Sequence, residues 1–253
     1  MRFVLVAALL AATSPASSQV VATHQPAALD ALLAAGDYAA LATTIRSRTT
    51  PDDLGADLDW LRAKMLAGES AFVSMLYARM LWDSSATLPA PRQRGIRTTA
   101  AFAILYAHAA ITIDGTRCGD PSAPGHKEAQ LGMMIPELLP FLATLTKAER
   151  QSLAETVWKV ERDTAARRDR QGDVKFLCSG GMDEMAHNLD HGTSRELPEK
   201  PGGWRHVEVT ADGTYRPRER PEAEWKALAA RHRAELPRTM AEMVEALSRP
   251  TAE

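Results

Sequence analysis

Between Thr98 and Ile113 the chain runs for sixteen residues without a Lys, Arg, Asp or Glu, and no other feature limits its fold so strongly. Phe102, Ile104, Leu105, Tyr106, Ile111 and Ile113 are separated by alanines, so a helix over this stretch has no face that water would prefer. Such a helix is either the centre of a globular core or a membrane span. At about 1.5 Å per residue it reaches roughly 24 Å, short of the ~30 Å hydrocarbon slab. Arg92, Arg94 and Arg97 stand before it and Asp114 after it. The reading is a buried core helix wrapped by the rest of the chain, with His108 as a core histidine holding one hydrogen-bonded partner.

Alanine and leucine dominate and runs of β-branched residues are scarce, which predicts an all-α fold of antiparallel helical hairpins. With 253 residues the chain is long enough to bury a sizeable core. Four parts are expected. Residues 1–18 read as a signal peptide and 19–195 as a helical domain. Residues 196–221 form a Pro/Gly-rich segment carrying a small β-hairpin, and 222–253 a C-terminal helical region.

Export follows from the first part. Arg2 is a minimal positive region, Phe3 to Ala12 an apolar run, and Ala16, Ser17 and Ser18 supply the small residues of a cleavage site before Gln19. The run is too short for a transmembrane anchor. The earliest cysteine is Cys118, so the expected product is not a lipoprotein but a periplasmic or secreted protein. Removing Arg2 from the 30 basic residues leaves 29 against 32 acidic, a net charge of -3. That gives no electrostatic reason to expect nucleic acid as a partner.

Two cysteines in an exported chain predict a disulfide. Cys118 is placed in a long loop from Asp114 to Gly125 and Cys178 in one from Gly172 to Gly181. An antiparallel helix pair between them returns the chain to the end it left. Closing a loop of this length is worth about 4 kcal/mol in the chain-entropy account.

Along the chain, Asp37, Thr50 and Thr146 read as helix caps, the last in a capping box with Glu149. Gly36 and Gly68 read as helix stops. Pro136 and Pro140 divide a helix near Ile135, and Pro237 breaks the final one. In the helix after Thr146, Leu153, Val157 and Val160 face inward, while Glu161 and the run Arg167 to Arg170 face water. The hairpin is placed at Trp204 to Val209, turning at Asp212 and Gly213 and returning over Thr214 to Arg216.

No nucleophile elbow, phosphate-binding glycine loop or cysteine-zinc spacing occurs, so the reading leans away from an enzyme. One cluster on the helix after Cys178 has chemical potential: Asp183, Glu184, His187 and His191. A histidine pair at i and i+4 shares a helix face and can hold a divalent transition metal, with Asp183 or Glu184 adding a carboxylate. Such a site needs further ligands, and Asp114, Asp120 and His126 are brought near by the disulfide. These three, with Trp204, mark the expected binding surface. The favoured function is a non-enzymatic protein that binds another exported protein or a small ligand, needing no cofactor; the alternative is a metal-dependent enzyme or metal-binding protein.

Overall fold

The structure is a computed structural model that describes residues 25–134, 136–197 and 207–248. The expected signal peptide over 1–18 and Trp204 lie outside the described residues. Among those residues the fold is all-α with one small antiparallel sheet and one disulfide.

Three short N-terminal helices lead in: α1 (Pro26–Ala35), α2 (Tyr38–Arg46) and α3 (Pro51–Ala67). Asp37 and Thr50 cap α2 and α3, accepting from the Ala40 and Asp53 N–H groups. α1 and α3 end on Gly36 and Gly68 in the left-handed conformation. α4 (Ala71–Ser85) then pairs along its length with α5 (Ala90–Asp114), the helix that holds the uncharged stretch. α8 (Lys147–Gln171) and α11 (Glu222–Leu247) close over the other side of α5, with α6 (Ser122–Met134) and α7 (Leu138–Ala143) alongside. Six alanines of α5, among them Ala100, Ala103, Ala107 and Ala110, are at most 1% exposed. Their small size lets the neighbouring backbones approach closely, which is why this helix can be surrounded.

Cys118 and Cys178 are bridged, with Cα atoms 5.1 Å apart. The Asp114 to Gly125 segment is more ordered than a long loop. A 3-10 turn covers Gly115–Arg117, and α6 starts at Ser122, whose N–H and hydroxyl both donate to Asp120 Oδ1. On the far side of the bridge a four-residue helix, α9 (Val174–Leu177), precedes Cys178, and α10 (Met182–His191) follows it.

Several expectations are corrected. α5 begins at Ala90, so Arg92, Arg94 and Arg97 are helical. Prolines start the helix, Arg97 lies over the Trp82 ring, and Arg94 pairs with Glu149. Pro237 does not break α11, because it sits on the solvent side while Arg233, Leu236 and Met240 on either side are anchored. The sheet pairs β1 (Thr193–Glu196) with β2 (Val207–Thr210), Thr193 opposite Thr210. Asp212 and Gly213 do form a turn, in which Asp212 accepts from the Thr214 N–H and hydroxyl, but the chain beyond does not return as a strand. It runs to the disulfide instead, where Gly119 N–H donates to Arg218 O.

The largest correction concerns charge. Glu161 and Arg168 are 2% and 4% exposed rather than solvent-facing. The inward stripe of α8 continues past its apolar residues through Glu161, Thr164 and Arg168, at helical spacing. Arg168 Nε donates to Asp114 Oδ2 at 2.8 Å, Nη1 to Tyr106 and Thr164, and Nη2 to Glu161. From α11, Arg233 donates to Glu161 and twice to Asp169, and Arg117 lies 3.9 Å over the Trp225 ring while bonding the Arg168 and Asp169 carbonyls. Removing one member strands its partners in the core, so Arg168→Ala is expected to lower the unfolding free energy by about 3–5 kcal/mol. Urea unfolding of the variant measures it; a loss below ~1 kcal/mol would show that water relieves the stranded carboxylates.

Candidate functional site

Where α1, α3 and α8 end, their last turns line a half-open cavity of about 560 Å³, with Ser70 just before α4 and Val174 and Lys175 of α9 on its other sides. Glycine makes this convergence feasible: Gly68 and Gly172, at φ 80° and 64°, stop α3 and α8 at the cavity wall. The chain leaves α8 through Gly172 and places Asp173 against the first turn of α4. There Asp173 Oδ2 accepts from the Ser70 hydroxyl at 2.7 Å and from the Ala71 N–H at 2.9 Å, and Tyr38 donates to Oδ1 at 3.5 Å. The carboxylate thus caps a helix more than a hundred residues away in sequence.

All three of these partners are neutral. Burial pushes the Asp173 carboxyl up to about 7; the Ser70 and Ala71 hydrogen bonds hold it down in part, and the nearby Asp114 charge adds to the rise. Burial also raises Asp114, opposed by Arg168. Its side chain is 7% exposed and lines the cavity. Oδ2 takes the Arg168 bond, but Oδ1 has no hydrogen bond and lies 3.8 Å from Arg233 Nη2. Burial and the Asp173 charge raise Tyr38 as well. Toward the mouth, Asp30 and Lys64 pair at 2.7 Å, and Lys175 Nζ points at the last carbonyls of α1, 3.4 Å from Ala34 O and 3.5 Å from Ala35 O.

No protein family, curated protein or solved structure matches this chain.

The residues singled out by sequence lie elsewhere, apart from Asp114. Asp120 meets α10 as expected: its Oδ2 accepts from the Asp183 N–H. Each member of the α10 cluster has a structural partner. Asp183 pairs with Arg218 at 2.7 Å, and Glu184 Oε2 accepts from the Gly180 N–H. His187 Nε2 lies 3.0 Å from Thr214 Oγ1 and 3.3 Å from Asp212 Oδ1. The His187 and His191 rings stack in parallel at 4.5 Å, and His191 Nδ1 bonds the His187 carbonyl. His126 bonds Gln130. Among the described residues no group of three or more His, Cys, Asp or Glu side chains is placed to hold one metal ion. His108 is half-buried, 3.9 Å from Glu128.

Sequence reasoning missed Asp173, Ser70, Tyr38, Lys64 and Glu69. The sequence places Gly172 and Asp173 only in the loop that holds Cys178. Asp173 leaves a measurable trace. A carboxyl that binds its proton more tightly when folded supplies stability at low pH, and that stability is lost as pH climbs from about 4 toward its folded value. Asp173→Asn keeps an oxygen for Ser70 and Ala71 and removes the titration. Between pH ~4.5 and ~8 the variant is expected to gain on wild type by on the order of 2 kcal/mol in urea unfolding. A difference that does not move with pH would mean the carboxyl ionises there as freely as in water.

Proposed function

We propose that this chain is an exported, non-enzymatic binding protein of a bacterial-type cell envelope, and that its ligand is a small polar molecule held in the cavity at the ends of α1, α3 and α8. One observation carries the reading: Asp173 and Glu69 line a cavity of about 560 Å³, and neither makes an ion pair among the described residues. Carboxyl groups with free acceptor positions can take an N–H or O–H from a polar ligand. Concave sites with a few convergent polar groups are where small molecules bind.

Export is supported by Arg2, the Phe3 to Ala12 run and the small residues before Gln19, and by a disulfide, which persists in oxidising compartments. The mature protein recovered from an envelope fraction is expected to begin at Gln19, as read by intact mass.

Ligand binding is tested by thermal shift against a library of small polar metabolites. A ligand specific to the native state, at a hundred times its dissociation constant, adds about 2.7 kcal/mol. That shift is expected in wild type and absent in Glu69→Trp, which fills the mouth without touching the ion network. A library without a hit, or hits that ignore the substitution, would remove the cavity as the site.

A further inference from the structure

We infer that the outward face of α10 docks a cationic amphipathic helix of a partner protein, apolar along one side and flanked there by Lys or Arg. No residue of this face lines the cavity, so the two sites stand or fall separately.

α10 is amphipathic the wrong way round. Met182, Met185 and Leu189 fall at helical spacing on one stripe and are 60%, 50% and 64% exposed, with Ala186 exposed beside them. The residues it half-buries against the chain are Asp183, Glu184, His187 and Asn188. Single exposed apolar side chains are ordinary on a protein surface, whereas a stripe of them about two turns long marks an interaction site.

Polar contacts hold the helix in that rotation. The Asp183 N–H donates to Asp120 Oδ2, the Asp183 carboxylate meets Arg218, and His187 lies against Asp212, Thr214 and the Tyr215 ring. Asn188 Oδ1 is buried as well. Turning α10 to bury its methionines and leucine would break these contacts, so the fold fixes the stripe outward. Methionine suits such a face because its unbranched, polarisable side chain adapts to the surface it meets.

Charge selects the occupant. α10 carries three acids, Asp183, Glu184 and Asp190, and no Lys or Arg. Arg218 pairs with Asp183, whereas Asp190, exposed next to Leu189, makes no ion pair among the described residues. A second copy packed by two-fold symmetry would set this acidic flank against itself. An anionic membrane would be repelled by the same charges. A partner helix with Lys or Arg beside its apolar stripe covers the exposed side chains and brings the opposite charge to Asp190.

Fluorescence anisotropy of the disulfide-bonded chain with a labelled amphipathic peptide of Leu and Lys tests the docking. The peptide is expected to bind at least tenfold more tightly than its Leu and Glu counterpart. Its binding is expected to fall at least tenfold in the double variant Met185→Ser, Leu189→Ser and several-fold in Asp190→Lys, both checked for native helicity. The double variant keeps every charge, which separates docking from the general attraction of a cationic peptide to an acidic chain. No binding of the Leu and Lys peptide, or equal binding to wild type and the double variant, would overturn the assignment. So would a dimer in sedimentation, or flotation with phosphatidylglycerol vesicles, that the double substitution abolishes, because the face would then belong to a second copy or to a lipid surface.

Discussion

Three acids and three arginines, Asp114, Glu161 and Asp169 with Arg117, Arg168 and Arg233, join the end of α5 and the turn after it to α8 and α11, which lie far off in sequence. Asp114 ends α5, Arg117 lies in the turn after it, α8 supplies Glu161, Arg168 and Asp169, and α11 supplies Arg233. The set is neutral in total. Moving such charges out of water offsets much of what their contacts return, so the network is a weak source of stability for its size. What it enforces is registry. A slide of α8 by one turn along α5 would part Arg168 from Asp114 and Tyr106 together, whereas the alanine surface of α5 by itself would tolerate several positions.

The cavity follows from that registry. With Arg168 fixed, α8 must end at Gln171, and Gly172 turns the chain so that Asp173 reaches the α4 N-terminus. Asp173 then stands outside the neutral set, held by neutral donors alone. Its hydrogen bonds fasten the chain after α8 to α4, while Tyr38, Phe72 and Phe176 pack as an aromatic trio behind it, centroids 4.8 to 5.5 Å apart. One side of this junction is an apolar floor. The other is polar and faces the void.

What was legible in the sequence was local. Thr50 and Thr146 announce their helices because a cap acts within three residues, and Gly68 stops α3 for the same short-range reason. The disulfide was legible because two cysteines in a chain expected to be exported have one simple fate. Asp212 and Gly213 show the opposite hazard: a sound turn signal suggested a partner strand that tertiary contacts with Cys118 and Gly119 claimed instead. Glu161 and Arg168 lay in view, on the same stripe as Leu153 and Val157, but a charged side chain is taken as solvent-facing unless its counter-ions are known. Apart from each other, their counter-ions sit some fifty to seventy residues away, on α5 and α11. The Ser70 to Asp173 bond spans still more chain and leaves no periodic trace.

The same contrast bears on which region binds. α10 keeps no residue buried, yet Asp183, Glu184 and His187 are engaged by Arg218, the Gly180 N–H, Asp212 and Thr214, so these groups are already answered within the chain. The cavity is the reverse case: Asp173 and Glu69 line it and make no ion pair among the described residues. α9 forms its far wall with only four residues, too few to hold a helix unaided. Two constraints hold it in place: Asp173 at its start, tied to α4, and Cys178 at its end, tied to Cys118. Because Lys175 and Val174 project into the cavity from between those points, the shape of the site depends on the disulfide as directly as on the buried carboxylates. A binding site with a covalently pinned wall suits a protein that works where thiols stay oxidised, which ties the proposed address of the chain to the architecture of the cavity itself.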